Sequence, residues 1–223
     1  MLPSWSASAE HLFRRSVAVR AIGAVADPGD PMNPDATNIF SQALAKLEIV
    51  SQRMQSPLAI VGGLAGIYYR SRVTTLDIDI VVAVERLDDF LRECVAEGME
   101  IQRRSDSGWH TVVFRSGQET VAIHVVPEGG NSPRDPEYAP PTPSPAELGV
   151  TSGLGYASFA GWVMLKLVAN RDKDRYHLIE ALKYASEAQA AEVVVKLRPL
   201  DASYLREFQR LFQAAQDENQ EDW

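Results

Sequence analysis

The chain has 223 residues, a formal net charge of -8 and a single cysteine. That length suits one sizeable domain, or one domain with a helical appendage. The acidic balance disfavours non-specific wrapping of nucleic acid, the apolar runs are too short to span a bilayer, and the lone Cys94 forms no internal disulfide, which points to a reducing, cytoplasmic setting.

Residues 1–34 read as an N-terminal tail. The first 22 hold three arginines (Arg14, Arg15, Arg20) and one acid, Glu10. They lack the uninterrupted apolar stretch of a secretory leader. A breaker-rich run, Ala26-Asp27-Pro28-Gly29-Asp30-Pro31, follows. The segment is either mobile, an extension from an upstream start, or a helix docked on the core or on a partner.

Residues 35–127 read as an α/β core. Phe40, Leu44, Leu47, Val50 and Met54 fall on one face of a helix that ends near residue 54. A strand is expected over 57–62, a short helix over 64–70 and a second strand over 76–84. A helix over Leu87 to Glu97 stops at Gly98. Strands near 99–103, 109–115 and 119–126 complete the core, the last two joined as a hairpin at Ser116-Gly117-Gln118. The proline-rich stretch 128–150 ends the sheet and reads as a linker in preference to a lid. Residues 151–223 are expected to be helical over roughly 157–170, 174–188 and 201–216, with an acidic, frayed tail.

The chemistry concentrates in residues 61–82, VGGLAGIYYRSRVTTLDIDIVV. Successive strand side chains alternate between faces, so Asp77 and Asp79 point one way. Leu76, Ile78, Ile80 and Val82 are expected to point the other way, into a core. Two like charges this close repel unless a cation neutralises them. Gly62 and Gly63, at the end of Leu58-Ala59-Ile60-Val61, allow a sharp turn and close approach of backbone N–H groups to a ligand.

Gly62-Gly63, a short helix and Thr75-Leu76-Asp77-Ile78-Asp79 together resemble the signature of the polymerase-β-type nucleotidyltransferase superfamily. The AbiEii-like group, related to abortive-infection toxins and to the minimal nucleotidyltransferases, is the nearest flavour. The later segment Leu165-Lys166-Leu167-Val168-Ala169-Asn170-Arg171-Asp172-Lys173-Asp174 is similar to that group's second conserved stretch. The resemblance spans about residues 57–185. It implies an α+β fold, a nucleotidyltransferase-like mixed β-sheet flanked by helices with a helical C-terminal part. It also implies metal-dependent transfer of a nucleoside monophosphate from a nucleoside triphosphate to a hydroxyl of an RNA, a protein or a small molecule, in a toxin–antitoxin setting with a possible protein partner.

By the same resemblance, Asp77 and Asp79 hold Mg²⁺, with Mn²⁺ possible, since hard cations prefer oxygen ligands. Gly62 and Gly63 cradle the triphosphate, and Lys166 reaches toward it. Thr75 either bonds a phosphate or supports the strand. Arg72 stands for the family arginine, one residue out of place. One position departs from the pattern: where a third carboxylate is expected on a later strand, the chain has His124. Imidazole ligates Mn²⁺, Fe²⁺ or Zn²⁺ better than Mg²⁺, and its near-neutral pKa also suits a general base. The alternatives are a structural histidine and, for the whole chain, a catalytically degenerate fold that binds a nucleotide or a partner. Tyr68, Tyr69, Trp109 and Trp162 are candidates to stack a base, though aromatics are more often core.

Overall fold

The computed structural model describes residues 38–104, 109–130 and 139–221. The N-terminal tail and its breaker-rich run lie outside these residues. Asn38 caps the first helix by accepting a hydrogen bond from the Phe40 N–H at 2.7 Å, and α1 runs Ile39–Met54. Then come β1 (Leu58–Val61), α2 (Gly62–Tyr68), β2 (Asp77–Val82), a 3-10 turn at Val84–Arg86 and α3 (Leu87–Ala96). Strands β3 (Glu100–Arg103), β4 (His110–Ser116) and β5 (Glu119–Pro127) follow. The C-terminal part holds β6 (Leu154–Tyr156) and helices α4 (Phe159–Ala169), α5 (Asp172–Leu182), α6 (Glu187–Leu197) and α7 (Ala202–Glu221).

The six strands form one mixed sheet in the order β3-β4-β5-β2-β1-β6. Strand β2 runs antiparallel to β1 and parallel to β5, and β6 lies parallel to β1. Alternation sorts the two faces. Ile60, Ile78, Ile80, Val82, Val112, Phe114, Ile123 and Val125 pack against Leu47, Val50, Phe90 and Leu91 of α1 and α3. Each such side chain contributes about 1.5–3 kcal/mol when fully removed from water. The opposite face is apolar only in its lower half, where Ala59, Val61, Val81 and Val126 meet Leu148, Val150 and Ala157. The helical part forms its own core around Trp162, Val163, Leu178, Leu182, Leu197 and Phe208.

The structure corrects several expectations. Leu76 precedes the strand and is 71% exposed, so it does not belong to the core face. Strand β6 and helix α6 were not expected: β6 is only three residues long, and α6 begins at a Ser186–Gln189 capping box and fills the interval between the helices expected over 174–188 and 201–216. The acidic tail does not fray early, because α7 continues to Glu221. The proline-rich stretch is not a free linker in its described parts. Its two ends are latched, the Gly129 N–H donating to the Thr142 carbonyl at 2.8 Å and the Thr142 N–H to the Gly130 carbonyl at 2.9 Å. Residues 140–143 then stand as a wall over the sheet.

Among the described residues, no helix is long and apolar enough to cross a membrane.

Candidate active site

The upper half of the second sheet face opens into a cleft of about 590 Å³ between the sheet and helices α4 and α5. That volume falls within the usual range for small-molecule sites. Its floor is one cross-strand row. Val61 of β1 pairs with Asp79 of β2, Asp79 with His124 of β5, His124 with Thr111 of β4, and Thr111 with Arg103 of β3. Asp77 lies one pleat further along β2, on the same face.

Three side chains converge on this floor. His124 Nδ1 lies 3.4 Å from Asp79 Oδ1 and 3.5 Å from Asp77 Oδ2. One ligand atom from each of Asp77, Asp79 and His124 falls within 4.8 Å of the others. Asp79 as a long hydrogen-bond acceptor, with the charges of Asp79 and Asp77, raises the His124 pKa against the opposing effect of burial. Asp77 is oriented by Thr75, whose hydroxyl donates to Asp77 Oδ1 at 2.7 Å. Thr75 is 6% exposed, so its hydroxyl serves as a strut beneath the acid.

Gly62 and Gly63 open helix α2 directly above the acids. Gly62 has φ +63°, and a Cβ there would collide with the Asp79 carboxylate. A Cβ on Gly63 would meet Thr75 at 2.6 Å. The two glycines thus let the backbone close down on Asp79 and on Thr75, the residue that orients Asp77. Helix α2 has only seven residues, so it offers a small dipole; what its start contributes is room and backbone access. Trp162 fixes that start by donating its indole N–H to the Gly62 carbonyl at 3.0 Å.

The opposite wall is cationic. Lys166 of α4 is 5% exposed, and its Nζ donates to Asp174 Oδ1 at 2.7 Å. Arg171, the residue before α5, holds the same carboxylate through Nε at 2.5 Å and Nη2 at 3.1 Å. Burial of Asp174 opposes ionisation, but Arg171 and Lys166 outweigh it and hold the carboxyl below its ordinary pKa. The bond to Asp174 and the charges of Asp79 and Asp77 hold Arg171 protonated, which sets it opposite the acid pair. His177 also lines the cleft. Burial and the neighbouring Lys166 push its pKa down to about 4, so it is neutral near neutral pH.

The sequence reading of Arg72 meets a different placement. Its side chain is 77% exposed, 3.6 Å from Glu180 Oε2, and it is not among the residues lining the cleft. The loop between α2 and β2 folds tightly, with Arg70 at φ 65° and the Ser71 N–H bonded to the Gly66 carbonyl, and this turns Arg72 outward. Two of the four aromatic candidates are engaged outside the cleft, Tyr68 stacking on Tyr156 at 4.4 Å and Tyr69 packing edge-on to Phe159. Trp162 borders the cleft but is fully buried, so it offers no open face to a base. Trp109, 40% exposed, lines the cleft at its β4 end. Arg171, Lys173, His177, Thr111 and Arg103 also line it. Of these, Arg171 and Lys173 fall in the Leu165–Asp174 stretch singled out in the sequence, and the alternation in β4 and β5 signals Thr111.

No family model matches the chain, and no curated protein does. Solved structures with some likeness include a crystal structure of ANT(2'')-Ia in complex with adenylyl-2''-tobramycin, at 16% identity and a TM-score of 0.39 over 79% of this chain and 97% of that one. A solution structure of the antibiotic-resistance factor ANT(2'')-Ia aligns at 16% identity and a TM-score of 0.41, over 81% of this chain and 94% of that one.

Proposed function

We propose that the cleft is a nucleotidyl-transfer site that binds a nucleoside triphosphate with a divalent cation. The observation that carries this reading is the facing of an acid pair, Asp77 and Asp79, by the cations Lys166 and Arg171 across a cleft roofed by Gly62 and Gly63. A triphosphate brings negative charge that the Lys166–Arg171 wall complements. The acids suit a cation carried with it. Bound at Asp77 and Asp79, that cation supplies charge neutralisation at the phosphates and a more acidic acceptor hydroxyl.

The residues of the chain supply positioning. Thr75 locks Asp77, Trp162 locks the Gly62 backbone, and Asp174 holds Lys166 and Arg171 in place. In the transfer, a bond forms between the acceptor oxygen and the α-phosphorus. The bond from that phosphorus to the β-phosphate bridge breaks, pyrophosphate leaves, and the hydroxyl proton passes to solvent. Catalysis of this kind is mostly orientation and electrostatics. The described part of the cleft lining also holds Arg103 and Lys173, cations that favour neutral or anionic acceptors. The convergence of His124 on the acid pair favours a working site over a degenerate module, in which that ring would point into the core.

The test is calorimetric titration of ATP, GTP, CTP and UTP, with and without Mg²⁺ or Mn²⁺, on the wild type and on Asp77→Ala/Asp79→Ala. Metal-dependent binding that the double variant loses is the expected result, followed by a radiolabel search for the acceptor. Binding of none of the four by the wild type, or a double variant that transfers at full rate, refutes the proposal.

A further inference from the structure

The resemblance in the sequence implies Mg²⁺, and the donor set accommodates it only in part. The two carboxylates suit a hard cation. The third donor is an imidazole, which Mg²⁺ takes poorly and first-row transition ions take well.

We infer that His124 makes this centre selective for a divalent transition ion, with Mn²⁺ preferred over Mg²⁺. Three observations support it. First, His124 Nδ1 is nearly equidistant from its two carboxylate neighbours, at 3.4 and 3.5 Å. Both lengths exceed a good N–H···O hydrogen bond, roughly 2.7–3.2 Å. The ring therefore lies between the two acids, within reach of both and tightly bonded to neither. Second, the two ring–carboxylate separations are those of neighbouring ligands on one four-coordinate ion, and a six-coordinate ion would draw the ring and the acids inward by about half an ångström. Bonds of about 2.1 Å place neighbouring ligand atoms roughly 3.0 Å apart in an octahedron and roughly 3.4 Å apart in a tetrahedron. Third, Gly62, in a backbone conformation that L side chains rarely adopt, makes room for the Asp79 carboxylate itself, since a Cβ there would collide with Asp79 Oδ2. The second oxygen of Asp77 is already committed to Thr75, which leaves Oδ2 turned toward the ring.

This inference rests on the reading that the cleft holds a metal, and not on the transfer reaction. Its test uses the metal alone. The full chain, stripped with chelator, is titrated with Mn²⁺ and then competed with Mg²⁺, without nucleotide, while free Mn²⁺ is followed by electron paramagnetic resonance. The expected preference for Mn²⁺ is about tenfold or more. Pulsed measurements on the bound Mn²⁺ are expected to show coupling to a ring nitrogen. That coupling persists in His177→Gln, the other cleft histidine, and vanishes in His124→Gln. His124→Asp, which restores an all-carboxylate set, brings the two affinities within a few-fold of each other.

Absence of nitrogen coupling in the wild type, which needs no variant to fold, overturns the inference, as does equal affinity for the two ions. The two proposals fail separately. Transfer supported by Mg²⁺ without nitrogen coupling sinks this one and leaves the reaction standing. Nitrogen-coupled Mn²⁺ in a protein that binds no nucleotide does the reverse.

Discussion

Asp174 is the residue whose removal tests the electrostatic argument most directly. It is fully buried and is the shared partner of Lys166, itself 5% exposed, and of Arg171. At 2.7 Å, an effective dielectric of 20 gives a gross attraction of about 6 kcal/mol for the Lys166 pair alone. Desolvation offsets much of this, so the pair's net worth is small. Removing one partner is a different matter, because the other charge stays buried without compensation. Asp174→Ala is expected to cost about 3–5 kcal/mol of unfolding free energy, read by urea denaturation with an unchanged slope. Asp174→Asn keeps the shape and loses the charge, and should cost somewhat less. The double variant Lys166→Met/Asp174→Leu, apolar on both sides, should recover most of the loss. A loss under about 1 kcal/mol in Asp174→Ala, or a double variant no better than the single, would refute the claim that the acid neutralises a buried cation.

Other outcomes follow from the same geometry. Gly62→Ala forces a side chain into a left-handed backbone, at about 1–2 kcal/mol, and pushes Asp79 aside; metal binding should fall much further than thermal stability. Trp109→Ala should weaken nucleotide or acceptor binding about tenfold, in line with about 1–3 kcal/mol for a stacked base, while thermal stability changes little; unchanged affinity for both would remove Trp109 from the site. His177 has a folded pKa of about 4, against 6.5 for the free group. Between those values the unfolded chain binds the extra proton, so stability rises with pH and is lost as pH falls from about 6.5 toward 4. For this partly exposed ring the change is about 1 kcal/mol after solvent screening, and His177→Gln should flatten that part of the stability–pH curve.

The parts of the fold that were legible in the sequence are those where a local pattern decides the structure. The alternation Asp77-Ile78-Asp79-Ile80 fixes which face of β2 is dry. The hairpin at Gly117 and the stop at Gly98 are set by glycines at positive φ. Strand β6 was illegible because it is three residues long with a glycine at its centre, Leu154-Gly155-Tyr156, and is held by pairing to β1 rather than by its own pattern. The outward turn of Arg72 was equally hidden, since it depends on a loop hydrogen-bonded back to α2. The same holds for the cation wall. Lys166 and Arg171 lie five apart, which a helix wheel places on different faces. The chain leaves α4 at Asn170 in a left-handed cap, φ 46°, and this brings Arg171 back beside Lys166 at Asp174.

Two acids inside an apolar strand are accommodated by a division of labour between its faces. Strand β2 sits between β1 and β5, in the interior of the sheet. Its Ile78, Ile80 and Val82 are fully buried against α1 and α3, so a slip of one residue would drive both acids into that core, at a cost of several kcal/mol each. Register is therefore fixed by the apolar face, and the position of the acids follows from it. The neighbouring strand carries the same logic, with Ile123 and Val125 buried and His124 between them on the cleft side. The three candidate ligand atoms, on two adjacent, register-locked strands, have little freedom to separate. A site built this way holds its geometry before any ligand arrives, and preorganisation of that kind is what both a metal centre and a phosphoryl-transfer site require.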